Sequence, residues 1–176
     1  MTDLVLGRLS WQPLADHPEL VADAVAAASL PGDVWVTPVD PDLADTAAFC
    51  EEYGVTLEQS ANCVIVEARR GDQRTLAACM VLATDRADIN KTVRKHLDAR
   101  KISFASMDEA TSASGMEFGG ITPIGLPQDW PILVDARVAA AGTVVIGGGV
   151  RSSKIALDGA LLGGLPGAEV IELAQP

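Results

Sequence analysis

Gly119-Gly120-Ile121-Thr122-Pro123-Ile124-Gly125-Leu126-Pro127 sets three glycines and two prolines between segments that otherwise read as regular structure. Glycine admits dihedrals closed to other residues and lets a ligand approach the main chain, while proline fixes φ and removes a donor. The stretch therefore reads as a rigid loop lining a small pocket, against the plainer reading of an ordinary connection.

On its N-terminal side, Ile102-Ser103-Phe104-Ala105 is a strand candidate and Asp108 a cap for a short helix over Glu109 to Ser112. On its C-terminal side come strands at Ile132-Leu133-Val134 and Thr143 to Ile146, and then a Gly147-Gly148-Gly149 loop. An Ile155-Ala156-Leu157 strand, a short helix near Ala160 and a strand at Glu169 to Leu173 complete the chain. Upstream, Asn62 to Ala68 and Thr75 to Ala83 form a β-hairpin about a turn containing Gly71-Asp72. Strand alternation puts Asn62 on one face with Val64 and Val66, so its side chain is expected to point inward.

Asp88 caps a helix through about Ala99, with Ile89, Val93 and Leu97 as its buried stripe. Nearer the start, residues 1–13 carry no periodicity and read as an extension or an edge strand. Asp16-His17-Pro18-Glu19 opens a helix to about Leu30, which Pro31-Gly32-Asp33 ends. Val34-Trp35-Val36 is a strand, and a helix from Leu43 to Tyr53 stops at Gly54 in the C′ position. Helices flank runs of strands without alternating strictly with them. That disfavours a doubly wound parallel sheet and favours an α+β domain with a mixed, mostly antiparallel sheet or partial barrel.

The 176 residues suffice for a single domain, 1–176, with residues 1–33 as an N-terminal extension and first helix. Hydrophobic residues make up 48% but aromatics only 4%, so the core must be built from Ala, Val, Leu and Ile. Cys50, Cys63 and Cys79 are odd in number and fall in apolar patterns, which reads as reduced thiols in a cytoplasmic protein. No window approaches the ~18 apolar residues of a membrane span, so a membrane partner is not expected. The net charge of −11 argues against DNA. Its distribution is uneven: Arg69 to Lys101 holds nine of the thirteen basic residues and is +5, leaving −16 elsewhere. A basic face on an acidic body orients a polyanion, although a solvated helix face is the plainer reading.

Several motifs fail on inspection. Gly147 to Lys154 lacks the Gly-Lys-Ser/Thr ending of a P-loop and runs into a strand where a helix is required. His17 and His96 have no second ligand at zinc spacing, so no metal or cofactor is expected. Ser60, His96 and Asp135 make a triad only on paper. Cys63 reads as a buried, inert thiol, and Asp135 as either a turn-capping carboxylate or a pocket acid.

The order Gln59-Ser60-Ala61-Asn62-Cys63-Val64-Ile65-Val66, then Ser114 to Gly125, then Pro131-Ile132-Leu133-Val134-Asp135, then Gly148-Gly149, resembles the YbaK/EbsC family over roughly Val34 to Ala174. That family includes free-standing trans-editing domains and the editing domain inserted into bacterial prolyl-tRNA synthetases. The resemblance implies a curved, partly barrel-like sheet and hydrolysis of mischarged aminoacyl-tRNA, such as alanyl or cysteinyl esters on proline tRNA. It implies that Gly119, Gly120, Ile121 and Pro123 shape the amino-acid pocket, with Gly148, Gly149 and Asp135 beside it. Arg69, Arg70, Lys91, Arg94 and Lys95 are then the expected tRNA contacts, and a synthetase is a possible partner.

One position departs from the family. Its deacylases carry a lysine in the hairpin strand, within a Lys-Thr-Leu pattern, where this chain has Asn62-Cys63-Val64. Asn62 becomes the candidate catalytic residue, able to hydrogen-bond but bringing no charge. Losing a charge-assisted hydrogen bond costs on the order of 1.5–3 kcal/mol, or about 10- to 100-fold in rate. Two readings follow: a free-standing deacylase working through Asn62, with a positioned water and a substrate hydroxyl, or a non-catalytic module binding an amino acid, an aminoacyl-nucleotide or a synthetase.

Overall fold

A computed structural model describes residues 3–30 and 32–175. Pro31, assigned above to the end of the first helix, lies outside the described residues, as do Met1, Thr2 and Pro176. Strand β1 (Gln12–Pro13) is the edge strand anticipated in the N-terminal stretch. The helix expected from Asp16 to Leu30 is instead two single 3₁₀ turns and a short α1 (Asp23–Ala26). The cause is tertiary: Val21 is extended (φ −115°, ψ 168°), and the Ala22 N–H donates to the Gly148 carbonyl at 3.0 Å. That contact, not a helix ladder, satisfies the backbone there.

β2 (Val34–Pro38) leads through a 3₁₀ turn to α2 (Thr46–Tyr53), which starts three residues later than expected. Its end is as read from sequence, with Gly54 left-handed at φ 72° and its N–H on the Cys50 carbonyl. β3 (Ala61–Arg70) and β4 (Gln73–Leu82) are the predicted hairpin, Arg70 opposite Gln73, so only Gly71 and Asp72 turn. β5 (Arg86–Ala87) follows, and then the segment capped by Asp88. Asp88 accepts from Lys91 N at 3.3 Å and Thr92 Oγ1 at 2.9 Å, but the turns open to a π form over Ile89–Val93 before α3 (Arg94–His96).

β6 (Lys101–Phe104) precedes α4 (Met107–Ser114), whose cap is Ser106, accepting from Glu109 N at 3.2 Å, and not Asp108. After the glycine-proline loop come β7 (Ile132–Asp135), a short α5 (Ala136–Ala139) that periodicity did not signal, β8 (Thr143–Gly147) and β9 (Ser153–Asp158). A 3₁₀ stretch over Gly159–Gly164, β10 (Ala168–Ile171) and β11 (Ala174–Gln175) finish the described chain.

The strands form sheets ordered β1-β2-β9-β8 and β10-β7-β4-β3-β6, plus the small pair β11-β5. Pairing is antiparallel except where β7 lies between β10 and β4. The sheets do not close into a barrel; a single parallel bridge, Ser60 to Val145, joins the two larger ones.

Side-chain alternation builds four layers. Val36, Ile146 and Ile155 of the first large sheet meet Ile65, Met80 and Val134 of the second in the main core. The second sheet's other face, with Val66, Cys79 and Leu133, packs on Ile89 and Val93. The first sheet's other face, with Val145 and Ala156, packs under Phe49 of α2. Among the described residues no helix is long and apolar enough to cross a membrane.

Candidate functional site

Strand β3 is paired along only part of one edge. β6 covers Val66 to Arg69, and Ala105 N reaches the Ile65 carbonyl at 2.9 Å; beyond that, the next contact is the bridge from Ser60 to Val145. The uncovered edge opens a cavity of about 360 Å³ between β3, the N-terminal end of α2, the glycine-proline loop and β8. By strand alternation, Cys63 directs its N–H and C=O the same way as Ile65, into this gap.

Asn62 is half-buried in the cavity wall, and its Oδ1 accepts from Thr46 Oγ1 at 2.7 Å. That bond uses the acceptor and leaves the two amide N–H donors of Asn62 without a partner among the described residues. At neighbouring Cys63, burial, helped by nearby Cys79, pushes the thiol above the ordinary thiol range, which disfavours the thiolate a nucleophile needs. Cys79, wholly buried, is pushed up to about 12 by desolvation.

The opposite wall is main chain. The Gly149 N–H donates to the Gly120 carbonyl at 2.7 Å, and Glu117 N donates to the Gly149 carbonyl at 3.0 Å. A Cβ on Gly147 would sit 2.5 Å from the Gly120 oxygen, and one on Gly120 would sit 2.5 Å from the Val150 oxygen. Two loops from distant parts of the sequence thus lie backbone against backbone, which only glycine allows. Arg151 fastens the rim, donating to the Pro41 carbonyl at 3.1 Å and the Phe118 carbonyl at 3.2 Å, with Asp45 3.6 Å away.

Lys154, on β9, also lines this cavity, a placement that the sequence reading missed. It is 7% exposed; its Nζ donates to the Ala44 carbonyl at 2.7 Å and lies 5.3 Å from the centre of the Phe49 ring. No carboxylate among the described residues pairs with it. Desolvation lowers its pKa from the ordinary 10.5 to about 8; Asp45 and Cys50 oppose the shift, and Arg151 adds to it. A signal did exist: alternation places Lys154 on one face with Ala156, inside an otherwise apolar strand. Thr46, Phe49 and Asp45 were missed as well, because α2 gave only a helical pattern.

Of the residues singled out by sequence, Asn62, Gly119 and Ile121 meet in this cavity. Gly120, Gly148 and Gly149 lie behind its wall as packing positions. Pro123 lines a different cavity of about 310 Å³, beside α1. Asp135 is buried away from both. Its Oδ1 accepts from Leu173 N (3.0 Å) and Ala174 N (3.1 Å), and its Oδ2 from Arg137 N (3.2 Å). Of the two readings open for Asp135, capping is the one this geometry fits.

Arg69 and Arg94 converge with Arg100 and Lys101 around a third cavity, of about 630 Å³, which Arg70, Lys91 and Lys95 do not line. Arg70 instead pairs with Asp98 at 3.2 Å. The triad on paper is not assembled: Ser60 bonds to Thr56 O, His96 contacts Glu169 and Asp135 holds backbone.

Known structures share this architecture. A protein described as a candidate trans-editing enzyme for prolyl-tRNA synthetase superposes with a TM-score of 0.68 at 18% identity, over 80% of this chain and 86% of that one. A protein described as hypothetical protein APE2540 gives 0.68 at 20% identity, over 78% and 86%. At those identities the likeness speaks for the fold. The sequence profile of the aminoacyl-tRNA editing domain matches residues 40–163, more than two thirds of the chain, and with it every wall of the cavity. The chain belongs to the aminoacyl-tRNA editing domain family, the YbaK family.

Proposed function

We propose that the protein is an aminoacyl-tRNA deacylase acting in trans, and that the cavity bounded by Asn62, Gly119 and Ile121 receives the aminoacyl end of a mischarged tRNA. The observation that carries this reading is the convergence of those three residues on one concave space of about 360 Å³ in a chain of this family. Ligand sites are pockets of roughly this scale, about 300–1,000 Å³, with few polar groups among apolar walls.

Hydrolysis needs a held ester, an oriented water and a place for charge on the carbonyl oxygen. Asn62, its Oδ1 engaged by Thr46, offers N–H donors to the ester or the ribose. The uncovered β3 edge at Cys63 offers main-chain groups to the α-amino end. The groove of Arg69, Arg94, Arg100 and Lys101 lies seven residues along β3 from Asn62, about 23 Å at the rise of a strand, and takes the phosphodiester backbone of the acceptor end.

The test is release of amino acid from a panel of correctly and incorrectly charged tRNAs. At least one mischarged species is expected to be hydrolysed well above the buffer rate, and Asn62→Ala to slow that release by about 10- to 100-fold. A broad panel with no release leaves the reading without support and favours a binding module; salt-dependent association of labelled tRNA would then show whether the module binds tRNA at all.

A further inference from the structure

Among the described residues Lys154 is the one cation in the wall of this cavity. One of its three N–H donors is used, on the Ala44 carbonyl. The others have no partner among the described residues, and no carboxylate neutralises the ammonium. A buried charge of this kind is costly unless something pairs with it. The Phe49 ring face, 5.3 Å away, compensates in part and holds the ammonium in place. The charged groups facing it are Asp45 before α2 and Arg151 at the rim, and the titratable thiols of Cys50 on α2 and Cys63 on the β3 wall stand beside them. What remains open to the ammonium is the cavity, which points to an oxygen ligand bearing negative charge.

Resting on the deacylase reading above, we propose that the Lys154 ammonium binds the carbonyl oxygen of the scissile aminoacyl ester and stabilises the oxyanion that forms there. Water bonds to the carbonyl carbon as the π pair moves onto oxygen. Collapse then expels the ribose oxygen, which takes up the proton given up by the water, while Lys154 keeps its own proton throughout. Depth selects the ester over a phosphate. Lys154 is 7% exposed whereas the rim residue Phe118 is 52% exposed, so an uncharged ester reaches that depth at a lower desolvation cost than the phosphodiester of the terminal nucleotide. Lys154 thus brings to the pocket from β9 the charge that Asn62 does not bring from β3.

The test uses the aminoacyl-tRNA hydrolysed fastest in the panel, together with the same amino acid esterified to adenosine, which carries no phosphate. Lys154→Met is expected to lower kcat by about 10²- to 10³-fold on both substrates, the loss typical of one oxyanion donor, with KM little changed. Because the ammonium form works, wild-type kcat should fall as pH rises past about 8, after spontaneous hydrolysis is subtracted. Lys154→Met should lack that fall, and titration of the substrate amine cancels in the comparison. Unchanged kcat in a folded Lys154→Met overturns the inference, as does a loss confined to KM on tRNA and absent on the adenosine ester, which would mark a phosphate contact. Should the variant fail to fold, the wild-type profile decides: kcat flat or rising from pH 7 to 9.5 overturns it. No release by wild type from any tRNA defeats the deacylase reading itself, whereas release unaffected by Lys154→Met defeats only the role of Lys154.

Discussion

The two ends of β3 treat charge in opposite ways. At the hairpin end, Arg69 and Arg74 both contact the Glu67 carboxylate, Arg74 also contacts Glu109, and Arg70 pairs with Asp98. At the cavity end, Lys154 is buried against Ala44 and Phe49 with no carboxylate in ion-pair contact among the described residues, Asp45 acting on it only from a distance. The pairs around Glu67 join a largely covered carboxylate to exposed guanidinium groups, and such solvent-facing pairs contribute little each. An unpaired buried ammonium opposes folding, so a useful counterpart is expected to be a ligand. Stability is balanced locally at one end and left unbalanced at the other, where the ester is proposed to bind.

The sharpest break in this comparison is steric. Gly147→Ala would drive a methyl into the Gly120 carbonyl from 2.5 Å, backbone against backbone, and should cost about 3 kcal/mol in urea unfolding. Gly71→Ala at the hairpin end meets no atom within 4 Å and costs only its left-handed φ of 59°, about 1 kcal/mol. Equal losses would erase the distinction between a packed wall and an open turn.

Charge gives the next effect. The unfolded Lys154 titrates near 10.5 and the folded one near 8, so between those values the unfolded chain holds a proton that the folded chain releases, and stability rises with pH through that window. Lys154→Met removes a penalty of about 3 kcal/mol below pH 8 and leaves the Ala44 carbonyl unpaired, at about 1 kcal/mol. It should therefore be more stable than wild type by about 2 kcal/mol at pH 7, with the gap closing by pH 10.5, as read by denaturant titration at several pH values.

At the hairpin end, Arg69→Ala with Arg94→Ala should reduce the salt dependence of tRNA binding by a slope of about 2 and leave hydrolysis of the adenosine ester unchanged. Loss on both substrates would place these arginines in the chemistry instead. The smallest effect belongs to Glu67, whose carboxyl is held below the usual range by hydrogen bonds from Arg74 and then Arg69. Its stabilisation is present above the unfolded carboxylate pKa and is lost as pH falls through the folded one. Glu67→Gln should cost about 0.5–1 kcal/mol at pH 7 and flatten the acid limb of the stability curve.

The hairpin, the Gly54 stop and the order of strands were legible because each has a local cause: alternation, a left-handed cap, a two-residue turn. The helix expected from Asp16 was not, because an Ala-rich segment has weak preferences and the Gly148 carbonyl claims Ala22. The candidate site was legible in halves. Asn62 and the glycine loop were visible as residue types in order, and the structure brings Asn62, Gly119 and Ile121 to one cavity. Asp135 looked the same on paper as a pocket acid because sequence cannot say whose N–H groups a carboxylate will meet. Lys154 was hidden behind a failed phosphate-loop comparison, although a lone lysine among Ile155, Ala156 and Leu157 carried the signal of a buried charge.

The backbone wall formed by Gly119–Ile121 against Gly147 also bears on how the amino acid proposed to bind there can drift during evolution. That wall offers selection little to edit, since a Cβ on Gly120 or Gly147 collides with the backbone of the other loop and one on Gly119 with the Arg151 guanidinium. On the proposed reading, changes in the amino acid admitted are then written on the facing side, in Thr46 and Phe49 of α2 and Asn62 and Cys63 of β3. One half of the cavity acts as a fixed ruler and the other as the adjustable jaw, and divergence among relatives should concentrate in the jaw.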